Sequence, residues 1–102
     1  MSLFDDRERA FEAKWAHDED TRLLLQAMAN RRLAEWAARK AGLTGNKALK
    51  EIHRLTKLEY TANGPAAFRS EVIATSGCTE QEVSNKANEF LVQVEAETAS
   101  EN

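Results

Sequence analysis

At 102 residues the chain fits one small domain, and its 42% hydrophobic and 30% charged residues, with only four glycines and one proline, are the composition of a helical protein. Its one cysteine, Cys78, excludes an internal disulfide and argues against structural zinc, which as a rule draws on two or more thiolates. A net charge of −3 with a pI near 5.4 argues against a typical nucleic-acid-binding domain.

The charge is unevenly placed. Residues 1–21 carry 3 basic and 7 acidic side chains, residues 22–57 carry 9 and 2, and residues 58–102 carry 2 and 8. A basic middle attracts nucleic acid, or in a folded bundle it lies against the two acidic blocks and is neutralised there. No apolar run exceeds three residues and the N-terminus is acidic, so neither a membrane span nor a secretory signal is expected, and a free thiol suits a reducing cytoplasm.

The first element, FDDRERAFEAKWAHDED at residues 4–20, holds three of the seven aromatic residues among ten charged ones. At about 100° per residue, Phe4, Phe11 and Trp15 fall within roughly 40° of one another, so a helical segment presents a narrow aromatic ridge. Asp5 pairs with Glu8 as a cap and with Arg9 as an ion pair, and Phe11 with Trp15 is an apolar pair of i, i+4 spacing. A helix this short is marginal alone in water. Asp18, Glu19 and Asp20 oppose a helix end but favour a helix start, which predicts a hinge at His17, Asp18, Glu19 and Asp20. By composition alone the ridge serves equally to bind a partner or to extend the chain's own core.

Four helices are predicted next. The first, from about Thr21 to Ala41, places Leu25, Met28, Ala29, Leu33 and Trp36 on one face, interrupted by Arg32. The second, from about Asn46 to Ala62, aligns Leu49, Ile52, Thr56 and Tyr60. A short third, about Pro65 to Ser76, offers Phe68 and Val72 on one side and Ile73 on another. The fourth opens on Thr79-Glu80-Gln81-Glu82, a capping box, and aligns Val83, Ala87, Phe90, Leu91 and Val94. Gly42, Gly64 and Gly77 are predicted to stop the helices before them in the left-handed conformation, and Pro65 to start the third. Each helix has a single apolar stripe to cover, which predicts an all-α four-helix bundle preceded by a mobile, potentially helical N-terminal segment. The expected boundaries are 1–20 for the leading segment and hinge, 21–97 for the bundle and 98–102 for a frayed tail.

The leading stretch resembles the start of the ATPase inhibitor zeta subunit family of α-proteobacteria. The resemblance continues through Asn30-Arg31-Arg32-Leu33-Ala34-Glu35-Trp36-Ala37-Ala38, Gly42, Glu59, Gly64 and Phe68-Arg69, and more loosely through the apolar spacing of residues 83–94. The family usually has phenylalanine where this chain has Trp15, and a more acidic segment at Gly77 to Thr79. What the resemblance implies is a mobile N-terminal segment that turns helical on entering a catalytic interface of the F-type ATP synthase head, formed by its alpha, beta and gamma subunits, and stops rotation in the hydrolytic direction. It implies Phe4, Phe11 and Trp15 as apolar anchors and Asp5, Asp6, Arg7, Arg9 and Lys14 as polar contacts. It also implies a cytoplasmic protein held at the inner face of the membrane when bound to the synthase.

Catalytic candidates are few. His53 is expected at the edge of the core beside Ile52 and Thr56, Cys78 in a loop before the Thr79 cap, and His17 among acids that would let the hinge respond to pH. Gly42 and Gly45 do not form a phosphate loop. No enzyme activity, cofactor or metal is expected. The alternative reading is a bundle that binds nucleic acid or nucleotide through the basic stretch 22–57, for which the basic positions are scattered around two helices rather than gathered on one face.

Overall fold

The computed structural model describes residues 19–101. It contains four helices, α1 (Glu19–Lys40), α2 (Gly45–Lys57), α3 (Gly64–Ser76) and α4 (Glu80–Glu101), with a 3-10 turn at Leu58–Tyr60 and no strand among the described residues. The all-α four-helix architecture is the one expected from the sequence. The anchors and polar contacts assigned to Phe4, Asp5, Asp6, Arg7, Arg9, Phe11, Lys14 and Trp15, and the hinge residues His17 and Asp18, lie outside the described residues.

Local chemistry explains most helix ends. Glu19 and Asp20 open α1, and Arg39 and Lys40 close it, so charges of the favourable sign sit at both ends of its dipole. At its C-terminus Gly42 takes φ 77°, the Leu43 N–H donates to the Ala38 carbonyl at 3.0 Å and the Gly42 N–H to the Arg39 carbonyl at 3.0 Å, which is a Schellman stop. Gly77, at φ 69°, ends α3 with its N–H donating to the Ile73 carbonyl at 3.0 Å. The capping box forms as expected: the Glu82 N–H donates to Thr79 Oγ1 at 3.1 Å and the Thr79 N–H to Glu82 Oε1 at 3.1 Å.

Gly64 departs from its expected role. It is absent from the left-handed glycines and instead begins α3, ahead of Pro65, where a Cβ would run into the Glu59 carbonyl oxygen. Glycine is needed there for close approach of two backbone segments, not for a helix stop.

The bundle is organised around α1, which packs against α2, α3 and α4, whereas α4 rests chiefly on α1. In its second half Leu33, Ala34, Trp36, Ala37 and Ala38 are all buried, and three alanines let neighbouring helices approach closely on several sides. The main core adds Ile52, Leu55, Phe68, Val72 and Val83, and a smaller cluster joins Leu25 and Ala29 to Val94.

Two expected stripes need correction. Met28, assigned to the face of α1, is 38% exposed, because the N-terminal half of that helix is covered on one side only. On α2 the buried residues are Ile52 and Leu55, with Ala48 against the core, while Leu49 is 58% and Tyr60 82% exposed. Both possible stripes contain Ile52, and the true one is rotated by roughly 80° at 100° per residue. Moreover α2 ends at Lys57, so Tyr60 belongs to the 3-10 turn and not to the same helical face. At the far end α4 continues through Glu101, past the expected boundary at 97.

Candidate functional site

Of the leading-segment and hinge residues singled out in the sequence, Glu19 and Asp20 are described, and both lie in the first turn of α1, ahead of the expected start at Thr21. The first described residue, Glu19, thus already belongs to the central helix of the bundle. The two turns that follow expose Leu23 and Leu24 while burying Leu25. Three consecutive leucines in a helix point in directions about 100° apart, so one packed face cannot hide them all. That run was the signal available for an exposed apolar surface here.

Beside Leu23 a groove of about 640 Å³ separates α1 from the 3-10 turn and the start of α3. Leu23, Ala27, Tyr60, Pro65 and Phe68 supply its apolar walls, and Asn30, Glu59 and Arg69 its polar groups. Gln26 donates through Nε2 to Asn30 Oδ1 at 3.0 Å, and Asn30 in turn is hydrogen-bonded to Glu59. Burial pushes the Glu59 carboxyl above its ordinary pKa and the Asn30 hydrogen bond only partly opposes this. Arg69 reaches out of the groove to Ser84 Oγ, donating through Nη1 at 2.9 Å and tying α3 to α4.

The basic stretch faces carboxylates at several points. Arg32 on α1 forms a two-pronged pair with Glu97 on α4, which holds the Glu97 carboxyl below its ordinary pKa. Arg54 on α2 donates to Glu51 at 2.7 Å and to Glu71 on α3 at 2.7 Å, and Arg31 lies 3.6 Å from Glu35. These pairs join the basic middle to acidic residues, two of them in the C-terminal block.

His53, expected at the core edge, is solvent-exposed and borders a shallow depression with Arg31, Leu49 and Lys50. It follows Ile52 on the helix, about 100° off the buried face. Cys78 is half-buried against the main core, its N–H donating to Ser76 Oγ at 3.2 Å. Among the described residues no group of three or more His, Cys, Asp or Glu side chains is disposed to hold a metal ion, and no helix is long and apolar enough to cross a membrane.

These features define, among the described residues, a small all-α four-helix bundle built around its first helix. The chain belongs to the ATPase inhibitor subunit zeta family, which it matches over residues 1–99. Membership makes it an ATPase inhibitor subunit, a regulatory chain associated with ATP synthase. No curated protein and no solved structure gives a significant match.

Proposed function

We propose that the chain inhibits ATP hydrolysis by the F-type ATP synthase, inserting its N-terminal segment as a helix into a catalytic interface of the soluble head and blocking rotation. Phe4, Phe11 and Trp15 are the apolar anchors in this reading, with Asp5, Asp6, Arg7, Arg9 and Lys14 as contacts at the rim and His17 to Asp20 as the joint to the bundle. The observation that carries it is the reach of the family match, which covers the leading segment together with the bundle.

Dimensions are consistent with a plug. A single helix with its side chains is roughly 10 Å across, whereas the bundle measures 53 × 26 × 26 Å. The leading helix would enter a cleft between subunits that stops the bundle behind it. Each buried aromatic ring contributes about 1.5 to 3 kcal/mol, enough for a short segment to order on binding.

The test is ATP hydrolysis by the cognate enzyme with the full chain and with a version starting at Glu19, which keeps the first turn of α1. Inhibition by the full chain alone supports the proposal, and equal inhibition by both rejects it. The nucleic-acid reading gains no support, because Arg31, Arg32 and Arg54 already face carboxylates of the same chain.

A further inference from the structure

Two depressions on the bundle are continuous with each other. The groove of about 640 Å³ between α1, the 3-10 turn and the start of α3 has Leu23 and Gln26 in its α1 wall. A shallower one of about 290 Å³ is lined by Glu19, Arg22 and the same Leu23 and Gln26. Together they make one trough that follows α1 from Glu19 to Asn30. Of its apolar residues Phe68 is buried, whereas Leu23 is 68% and Tyr60 82% exposed. Two of the large apolar side chains that the bundle leaves in solvent therefore stand over this trough, which is the setting of a docking site.

The trough begins at Glu19, where the described residues begin, so the segment nearest to hand is the 18 residues that precede it in the sequence. Their pattern matches it. Glu19, Leu23, Gln26 and Asn30 follow one another at intervals of four, three and four residues, which is one stripe along a helix. Trp15, Phe11, Glu8 and Phe4, read backwards, follow at the same intervals. Each stripe spans 11 residues, roughly 16 Å at 1.5 Å per residue, so two antiparallel helices would register along their full length. Trp15 would then lie beside Glu19, Phe11 beside Leu23, and Phe4 beside Asn30, near Tyr60 and Phe68. Such a hairpin needs a connection of roughly two to five residues, and Ala16, His17 and Asp18 supply three. Charges agree at both ends: Lys14 would fall toward Glu19 and Asp20, and Asp5, Asp6 and Arg7 toward Arg69 and Glu59.

We propose that residues 4–15 dock as a helix in this trough, antiparallel to the first half of α1, with Phe4 and Phe11 in the groove and Trp15 in the shallower depression. An occupant held on one side only is a close balance between docked and free, so it comes away without unfolding the bundle and moves the unfolding midpoint little. A docked ridge is withheld from any partner until it is released. The docking stands on the trough and the spacing, independently of the inhibitory reading.

NMR on the full chain tests it. Nuclear Overhauser contacts are expected from the Phe11 ring to the Leu23 methyls and from the Phe4 ring to Tyr60. A straight continuation of α1 would instead hold Phe11 and Leu23 roughly 18 Å apart, beyond the reach of such contacts. Leu23→Glu, at an exposed position, is expected to abolish the Phe4–Tyr60 contact and to shift the amide signals of residues 4–15, with those of Leu55 and Val72 unmoved. Should that variant also move Leu55 and Val72, Tyr60→Ser decides instead, with loss of the Phe11–Leu23 contact expected. Absence of both contacts in the wild-type chain overturns the proposal, as does their survival in the deciding variant. Contacts seen only between a labelled and an unlabelled chain would make the occupant a second copy and overturn it as well.

Discussion

Arg54 on α2 and Glu71 on α3 are joined by a hydrogen bond of 2.7 Å, and the same guanidinium grips Glu51 through both Nε and Nη2. Thr75 Oγ1 closes the group by donating to Glu51 Oε2 at 2.7 Å. One cation therefore serves two carboxylates from two helices, in a contact that α2 and α3 otherwise make sparingly.

The Arg54 hydrogen bonds hold the Glu51 carboxyl well down, at about 2, with Thr75 adding to the effect and burial opposing it. The folded state then binds fewer protons than the unfolded chain, so this stabilisation is complete above the ordinary glutamate range and is lost as pH falls toward 2. Glu51→Gln is expected to lower stability at neutral pH by about 1 kcal/mol, a figure discounted for the exposure of Arg54. Urea unfolding at neutral pH and in acid checks this, since the difference from wild type should shrink in acid.

Glu59 behaves in the opposite sense. Its folded pKa is raised by burial, so its contribution is present below the ordinary glutamate range and is lost as pH rises through the raised value. Glu59→Gln, which keeps an acceptor for Asn30, is expected to raise the melting temperature at neutral pH. In acid the two proteins should melt together.

Gly64→Ala is expected to cost about 1 to 3 kcal/mol, because the new methyl group meets the backbone carbonyl of Glu59 and backbone must move. Gly42→Ala, where nothing lies within 4 Å of the new Cβ, should cost about 1 kcal/mol through its positive φ alone. Thermal unfolding of the two variants side by side separates crowding from backbone strain.

Thr79→Ala removes the hydroxyl that accepts from the Glu82 N–H, and is expected to lower stability by about 1 kcal/mol. Thr79→Ser, which keeps the oxygen, should retain most of it. Chemical denaturation is sufficient to tell them apart.

Phe11→Ala with Trp15→Ala is expected to weaken inhibition of ATP hydrolysis by several kcal/mol in total. Denaturant midpoints should stay near wild type if the ridge serves the partner and not the bundle. Loss of stability in step with inhibition would argue that these rings belong to the chain's own core.

The sequence by itself determined the helical class, the number of helices in the bundle and most of their ends. Those features are local: left-handed glycines at Gly42 and Gly77, the reciprocal Thr79–Glu82 hydrogen bonds and the spacing of Val83, Ala87, Phe90 and Val94 depend on neighbours within a turn or two. The leading stretch was also legible as the opening of the family, which the match from residue 1 bears out. Only the tertiary structure decided which side of α2 faces inward, since Leu49 and Leu55 compete for burial around a shared Ile52, and periodicity has no preference between them. It likewise decided that Gly64 answers to the Glu59 carbonyl and that Arg32 and Arg54 meet Glu97 and Glu71. The two ion pairs join positions 65 and 17 residues apart along the chain, and their geometry is fixed by how the helices stack, a quantity that no short stretch of sequence contains.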